Sequence, residues 1–199
     1  QSLTSADVAR LLSDPSADAR SGLAATLGRQ FTDDTLAPGE LAIAQDIVRL
    51  LARDVETTVR ATLAHNIRAS RHLPHDVALR MARDIEAVAL PVLANSLVLT
   101  DEDLVTLVRQ GSPEKQSTIA ARPTVSETVA DALIDHAHED AVATLMANPG
   151  AEVSDAGLER VVDRFPRSAV IHEGLVNRAA LPMTVAERLA VLVSRRLQD

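Results

Sequence analysis

A short pattern of hydrophobic and polar positions recurs along the chain. An apolar residue is followed by a capping residue, and an apolar pair stands seven and eight positions after the cap, as in Val125-Ser126 with Leu133-Ile134. This offset places the pair on a single face about two turns into an α-helix. The pattern predicts amphipathic first helices near residues 4–13, 39–53, 75–84, 100–110, 126–137, 154–165 and 184–198.

A second set of predicted helices lies between the first helices, at residues 18–28, 56–66, 86–95, 114–122, 140–148 and 167–177. All but the last of these segments begin with an acidic residue, which the positive end of a helix favours. Most end in Gly or Asn, residues that tolerate the left-handed conformation that often ends a helix. No run of alternating β-branched residues indicates a strand, so the predicted fold class is all-α.

The spacing of the capping positions indicates a structural repeat. Positions 74, 100, 126, 154 and 184 are 26, 26, 28 and 30 residues apart, and periods of this size are typical of stacked helical repeats. We therefore predict a right-handed α-solenoid of about six helix-pair repeats and an unpaired C-terminal helix, in a single domain over residues 1–199. Around the polar stretch from Gln30 to Ala37 the spacing is about 35 residues. This change separates longer helices in residues 1–70 from 26–30-residue repeats in residues 71–199.

The first two repeats resemble HEAT repeats. The resemblance rests on Leu11-Leu12-x-Asp14-Pro15-x4-Arg20 and on Leu50-Leu51-x2-Asp54-Val55-x3-Val59-Arg60, where an acid precedes an arginine by six positions. The resemblance implies a ladder, in which each acid lies at the turn between two helices and each arginine crosses to a neighbouring turn. Later repeats have no arginine at this position and are not expected to continue the ladder; they carry Leu90, Thr118 and Thr144 there.

The later repeats are more similar to the leucine-rich-repeat-variant type of helical repeat, as in the ending Leu145-Met146-Ala147-Asn148-Pro149. Over most of its length the chain is also similar to a family of bacterial HEAT-like proteins of unknown function. These resemblances imply a helical solenoid, and they supply no catalytic residues to carry over to this sequence.

Composition and charge exclude several classes of protein. Without cysteine the chain has no disulfide, zinc finger, iron–sulfur cluster or thiol nucleophile. A formal net charge of −8 with 1% aromatic residues disfavours nucleic-acid binding, which uses clustered cations and stacking rings. The apolar runs are too short for a membrane span, and no signal-peptide pattern opens the sequence. We therefore expect a cytoplasmic protein that does not contact a membrane.

Two groups of side chains contain the residue types that bind metals and fall around predicted turns: His136, His138, Glu139 and Asp140, and His65, His72, His75 and Asp76. Within each group no two histidines are four positions apart, the spacing of a helical ligand pair, so solvated turns are the favoured interpretation. The acidic triplet Asp101-Glu102-Asp103 is explained by its place in a first helical turn. The sequence contains no nucleophile elbow and no glycine-rich phosphate loop, and we predict no catalytic residue, metal or cofactor.

Arginine supplies 19 of the 20 basic side chains, and Lys115 is the only lysine. The middle of the chain is locally basic, whereas the segment from Asp131 to Asp140 is acidic. A basic stripe could bind an acidic partner or a phosphate backbone. In the favoured interpretation the arginines are solvated or paired with nearby aspartates. The arginines are Arg49, Arg53, Arg60, Arg68, Arg71, Arg80 and Arg83, and the aspartates are Asp46, Asp54, Asp76 and Asp84.

These observations predict a non-catalytic protein-interaction or scaffold module that binds a protein or peptide on a concave face formed by the second helices. The predicted partner contacts are exposed arginines of the second helices: Arg60, Arg68 and Arg122. Two less favoured alternatives are a nucleic-acid-acting HEAT-like protein, such as a base-excising glycosylase, and an enzyme or lyase acting on a bound pigment or small molecule. A homodimer through a terminal helix is compatible with each of them. Because the sequence starts at Gln1, we also expect a fragment of a longer protein.

Overall fold

The computed structural model describes residues 16–33, 36–178 and 180–196. Twelve helices and no strand lie in these ranges, where an isolated parallel bridge joins Val125 to Ala151. The all-α prediction is therefore confirmed for the part of the chain described. The helices are α1 (Ala17–Asp33), α2 (Pro38–Leu51), α3 (Thr57–Ile67), α4 (His75–Ala82), α5 (Glu86–Asn95), α6 (Asp101–Gln110), α7 (Pro113–Ala120), α8 (Glu127–His136), α9 (Glu139–Ala147), α10 (Asp155–Arg164), α11 (Ala169–Val176) and α12 (Met183–Arg196).

The observed helices follow the predicted alternation. The odd-numbered helices α1 to α11 correspond to the predicted second helices, and the even-numbered helices α2 to α12 correspond to predicted first helices. The remaining predicted first helix, at residues 4–13, lies outside the described residues. The alternation could be predicted because apolar spacing and polar residues at helix ends are local properties of the sequence.

The chain forms two compact units, divided between Thr100 and Asp101. In unit 1, the second helices α1, α3 and α5 pack in a row, with α3 between α1 and α5. Helix α2 packs against α1 and α3, and α4 packs against α5. Each helix thus buries its apolar face against neighbours that are one repeat away or adjacent in the chain.

Unit 2 contains two rows of helices. The first helices α6, α8, α10 and α12 pack successively against one another, and the second helices α7, α9 and α11 form the other row. The rows meet where α6 contacts α7 and where α8 contacts α7 and α9. The single-domain prediction remains a prediction.

Two glycines allow second helices to approach each other closely. A Cβ atom on Gly28 of α1 would lie 2.1 Å from Cβ of Asn66 in α3, and one on Gly174 of α11 would lie 2.9 Å from Cβ of Met146 in α9. The prediction that a helix ends at Gly28 is wrong, because α1 continues to Asp33. Gly28 is required by a close helix contact rather than by a left-handed helix end.

Side chains complete the hydrogen bonds of several helix ends. As predicted, the hydroxyl groups of Ser126 and Ser154 accept hydrogen bonds from backbone N–H groups in the first turns of α8 and α10. Thr184 instead lies inside α12, and its hydroxyl donates to the carboxylate of Glu159 in α10 over 3.0 Å. Asn148 has an extended backbone rather than a left-handed one, and its side-chain amide donates to the carbonyl groups of Ala120 and Arg122.

Candidate interaction groove

Arg60, in the first turn of α3, joins two successive turns of unit 1. Its guanidinium donates to both carboxylate oxygens of Asp84, with distances of 2.7 Å from Nε and 3.1 Å from Nη2. Its Nη1 atom also donates to the backbone carbonyl of Asp54 over 2.7 Å. The side chains of Arg60 and Asp84 are only 15% and 16% exposed. A bidentate pair with so little exposure fixes the α4–α5 turn against α3.

Asp54, in the α2–α3 turn, forms a second bidentate pair, with Arg20 of α1. The distances are 2.6 Å from Nε and 3.1 Å from Nη2, and the Asp54 side chain is 8% exposed. Burial acts to raise the pKa of Asp54, but hydrogen bonds from Arg20 and from the backbone N–H of Glu56 outweigh it and hold the pKa below its ordinary value. Asp14, the first acid of the ladder implied by the resemblance, lies outside the described residues, and the pairings that this ladder implies at Asp54 and Asp84 are present in unit 1.

The ladder stops after Asp84, as expected from the sequence. The hydroxyl groups of Thr118 and Thr144 donate to carbonyl groups of their own helices. In unit 2 the uncharged side chain of Gln116 in α7 connects neighbouring elements. Its amide nitrogen donates to the carbonyl of Val108 over 2.8 Å. Its Oε1 atom accepts from the backbone N–H of His138 over 3.0 Å. A single buried amide thus connects α7 to the end of α6 and to the α8–α9 turn.

An open groove of about 930 Å³ lies over the ion pairs of unit 1. Its walls come from the residues that follow α2, from α3 and α4, and from the α4–α5 turn. The residues that line this groove are Ala52, Arg53, Asp54, Arg60, Asp76, Leu79, Arg80, Arg83 and Asp84. We call it the arginine groove.

Three exposed arginines of the groove, Arg53, Arg80 and Arg83, have no side-chain hydrogen bond or ion pair with any residue of the described ranges. Arg49, by contrast, donates to Asp46 over 3.0 Å and to Asp76 over 3.3 Å. The predicted pairing of arginines with nearby aspartates is thus confirmed for Arg49 and for the Arg60–Asp84 pair. The three groove arginines are solvated and lie around one concave surface.

The aspartates of the groove are already neutralised by other arginines. Asp54 pairs with Arg20, Asp84 pairs with Arg60, and Asp76 pairs with Arg49. The positive charge that remains uncompensated at the groove is therefore carried by the three solvated guanidinium groups. Guanidinium groups bind planar anions through two parallel hydrogen bonds, so the arrangement is suited to carboxylate or phosphate oxygens.

Two residues that follow groove residues in the sequence have exposed aliphatic side chains. Val55 follows Asp54 and is 87% exposed, and Ile85 follows Asp84 and is 52% exposed. Both residues occupy the turn between a first helix and its second helix. Single exposed aliphatic residues are common, but here they occupy equivalent positions of two successive repeats, and each directly follows an aspartate that lines the groove.

The structure places the predicted partner contacts in different settings. Arg60 belongs to the mostly buried ion pair with Asp84, so the prediction that its side chain is exposed is wrong. Arg68 donates to the carbonyl of His65 in its own helix. Arg122 lies in unit 2, where burial lowers the pKa of its guanidinium and nearby Asp101 acts to raise it. The sequence signal that separates Arg60 from the groove arginines is the acid six positions before it, which marks a ladder residue.

The histidines do not assemble a metal centre in the described part of the chain, where no group of three or more His, Asp or Glu side chains could hold a metal ion. His138 begins α9, and its backbone N–H is bound by Gln116. His172 is buried, and its Nε2 atom lies 3.2 Å from the carbonyl oxygen of Phe165. His138 is therefore exposed at the α8–α9 turn, in agreement with the interpretation as a solvated turn, whereas His172 belongs to the packing of unit 2.

Unit 2 contains two smaller cavities. One, of about 320 Å³, lies between α10 and α12 and includes Val162 and Val191 in its lining. The other, of about 520 Å³, lies beside α9 and α11. Arg178 lines this second cavity but donates to the carbonyl groups of Met146 and Ala151. Its guanidinium group therefore completes the hydrogen bonds of carbonyl groups at the end of α9 and in the loop that follows.

None of the helices described by the structure has the length and apolar character needed to cross a membrane.

Comparison with known proteins defines the family. Residues 88–199, more than half of the chain, match a protein family described as "Uncharacterised protein conserved in bacteria (DUF2336)". The chain therefore belongs to this bacterial family, and the match covers all of unit 2 and most of α5. No curated protein and no solved structure matches the chain. The arginine groove lies before the matched segment, in residues 52–84.

Proposed function

We propose that this chain is a non-catalytic protein-interaction module and that its partner protein binds at the arginine groove of unit 1. The observation that carries the proposal is the presence of three solvated arginines around one groove whose floor is held by two mostly buried ion pairs. A floor fixed in this way does not have to become ordered when a partner binds, which lowers the cost of association. Arginine is also among the residues that contribute most at protein interfaces.

The proposal includes the right-handed solenoid predicted from the sequence. The row of α1, α3 and α5 in unit 1 and the two rows of unit 2 support it, because successive helix pairs pack against their equivalents. In this proposal Arg60 holds the groove floor and Arg68 and Arg122 remain predicted partner contacts. A cytoplasmic location also remains a prediction.

Nucleic acid is a less well supported occupant. Strong binding to a phosphate backbone typically uses about six to ten phosphate contacts, whereas this groove offers three solvated cations. Single-stranded nucleic acids also stack on aromatic rings. The two phenylalanines of the chain are Phe31, which is buried in α1, and Phe165, which lies in unit 2.

Site-specific photo-crosslinking tests the proposed function. A benzophenone amino acid placed at Val55, beside the groove, is expected to give a covalent adduct with a partner protein in cells of the source bacterium. The same amino acid at Leu97, which is 61% exposed and also in unit 1, serves as the position control. A discrete adduct from Val55 that is absent from Leu97 supports the proposal.

Two matched variants make this result specific to the groove. The groove variant replaces Arg53, Arg80 and Arg83 by Gln. The control variant makes the same replacement at three exposed arginines without side-chain partners in the described ranges: Arg71, Arg109 and Arg167. Both variants lose the same charge. The Val55 adduct should disappear in the groove variant and persist in the control variant, and an adduct that survives in both would refute the proposal.

A further inference from the structure

We infer that the occupant of the arginine groove is an acidic segment of the partner protein, in which carboxylate side chains alternate with apolar ones. This inference rests on the proposed function and specifies the chemistry that the partner must present. It is carried by the positions of the solvated arginines, by the pairing of the groove aspartates and by the exposed aliphatic residues of the two turns.

The solvated arginines come from the ends of two first helices. Arg80 lies in the last turn of α4 and Arg83 directly follows that helix, whereas Arg53 follows the end of α2. An anion that met one of these helix ends alone would leave the other unoccupied. A segment of polypeptide can carry separate carboxylates to both ends, and each guanidinium can hold one of them through two hydrogen bonds.

The internal ion pairs make the groove selective for discrete anions. Asp54 and Asp84 lie in the groove, and each forms an ion pair with its own arginine, so no uncompensated positive charge of the described residues is present at these positions. A continuous phosphate chain crossing the groove would place phosphate groups at these positions, where the described residues offer no solvated cation to bind them. A peptide can instead place its carboxylates opposite the arginines and neutral residues opposite the aspartates.

The exposed turn residues favour apolar side chains between the carboxylates. Val55 and Ile85 adjoin the two aspartates in the sequence and remain 87% and 52% exposed. Covering them with apolar side chains removes this surface from water and adds affinity that does not depend on charge. A purely acidic segment would leave both residues solvated.

Fluorescence anisotropy with synthetic probes tests the inference on the complete chain. The probes are a labelled peptide of repeated Asp-Glu-Leu triplets, its Asn-Gln-Leu counterpart, a Ser-phosphorylated peptide with the acids removed, and a single-stranded oligonucleotide. We expect the acidic peptide to bind the wild-type protein and its amide counterpart to bind at least about tenfold more weakly, because the amides do not carry the charge that the arginines recognise.

The variants provide the decisive comparison. The groove variant should weaken binding of the acidic peptide by roughly tenfold, and the control variant should change it by less than about twofold. Circular dichroism and thermal unfolding of both variants should match the wild type, because all substituted side chains are exposed. A groove-dependent Val55 adduct combined with no binding of the acidic peptide would overturn this inference while leaving the proposed function in place.

Binding of the phosphorylated peptide or of the oligonucleotide more tightly than the acidic peptide, with loss in the groove variant, would also overturn the inference. In that case the groove would select phosphate rather than carboxylate. Equal loss of peptide binding in the groove and control variants would refute it too, because it would show that total charge rather than groove geometry governs binding.

Discussion

Arg60 and Arg80 are the same amino acid, but their surroundings give them different roles. Arg60 is held by Asp84 and by the Asp54 carbonyl in a mostly buried position. Arg80 is exposed in the arginine groove and has no side-chain partner in the described ranges. One therefore contributes to the fold, and the other is available to a partner.

This difference predicts unequal effects of the same substitution. Arg60→Met should lower the free energy of unfolding by about 2–4 kcal/mol, because it removes the guanidinium that pairs with the mostly buried carboxylate of Asp84. Arg80→Met should change it by less than about 0.5 kcal/mol. Equilibrium urea unfolding measures both values. Similar losses in the two variants would contradict the assignment of Arg60 to the groove floor.

The Arg20–Asp54 pair predicts a dependence of stability on pH. The pKa of Asp54 is lowered on folding, so its contribution is fully present above the ordinary Asp pKa of about 3.9 and is lost as the pH falls through the lower folded value. Asp54→Asn should be less stable than the wild type near neutral pH, and the difference should shrink in acid. Urea unfolding from about pH 6 to about pH 2 tests this. A constant difference would contradict it.

At the scale of helices, sequence patterns gave the position of each element but not its contacts. Caps such as Ser126 and apolar pairs such as Leu133-Ile134 act within one helix, so their spacing can be interpreted directly. The partner of Arg20 is 34 residues away and that of Arg60 is 24 residues away. Such pairings depend on how repeats pack: the acid six positions before Arg20 and Arg60 marks them as ladder residues, but it does not identify the aspartate that each one binds.

The end of α1 shows the same limit of prediction from the local sequence. The sequence predicts a helix end at Gly28 because glycine often occupies that position, whereas in the structure Gly28 lies against Asn66 of α3 inside a continuous helix. The requirement for glycine arises from the neighbouring helix. The local sequence therefore does not distinguish a glycine that packs against another helix from a glycine that ends a helix.

The two glycines of α1 provide a matched test of this packing. Gly28→Ala should destabilise the protein by about 1–3 kcal/mol, because the new methyl group would overlap Asn66. Gly22→Ala, where no atom lies within 4 Å of the added Cβ, should stabilise it by up to about 1 kcal/mol through helix propensity. Thermal unfolding of the two variants gives the comparison. Stabilisation by both substitutions would exclude the close α1–α3 contact.

At the scale of the whole molecule, the net charge of −8 and the local charge of the groove act in opposite directions. The acidic remainder of the chain repels polyanions at long range, although salt screens this repulsion beyond about 10 Å at 0.1 M ionic strength. An acidic partner must therefore gain its affinity from direct contacts in the groove. This is why specific recognition rather than general electrostatic attraction is the expected mode of binding.

The central claim is that the partner protein enters the arginine groove through its carboxylates. The most direct measurement is competition between synthetic peptides and the adduct formed from the benzophenone at Val55. The acidic Asp-Glu-Leu peptide should abolish this adduct as its concentration rises, whereas the Asn-Gln-Leu counterpart should leave it intact. Persistence of the adduct when the acidic peptide saturates the groove would contradict the claim.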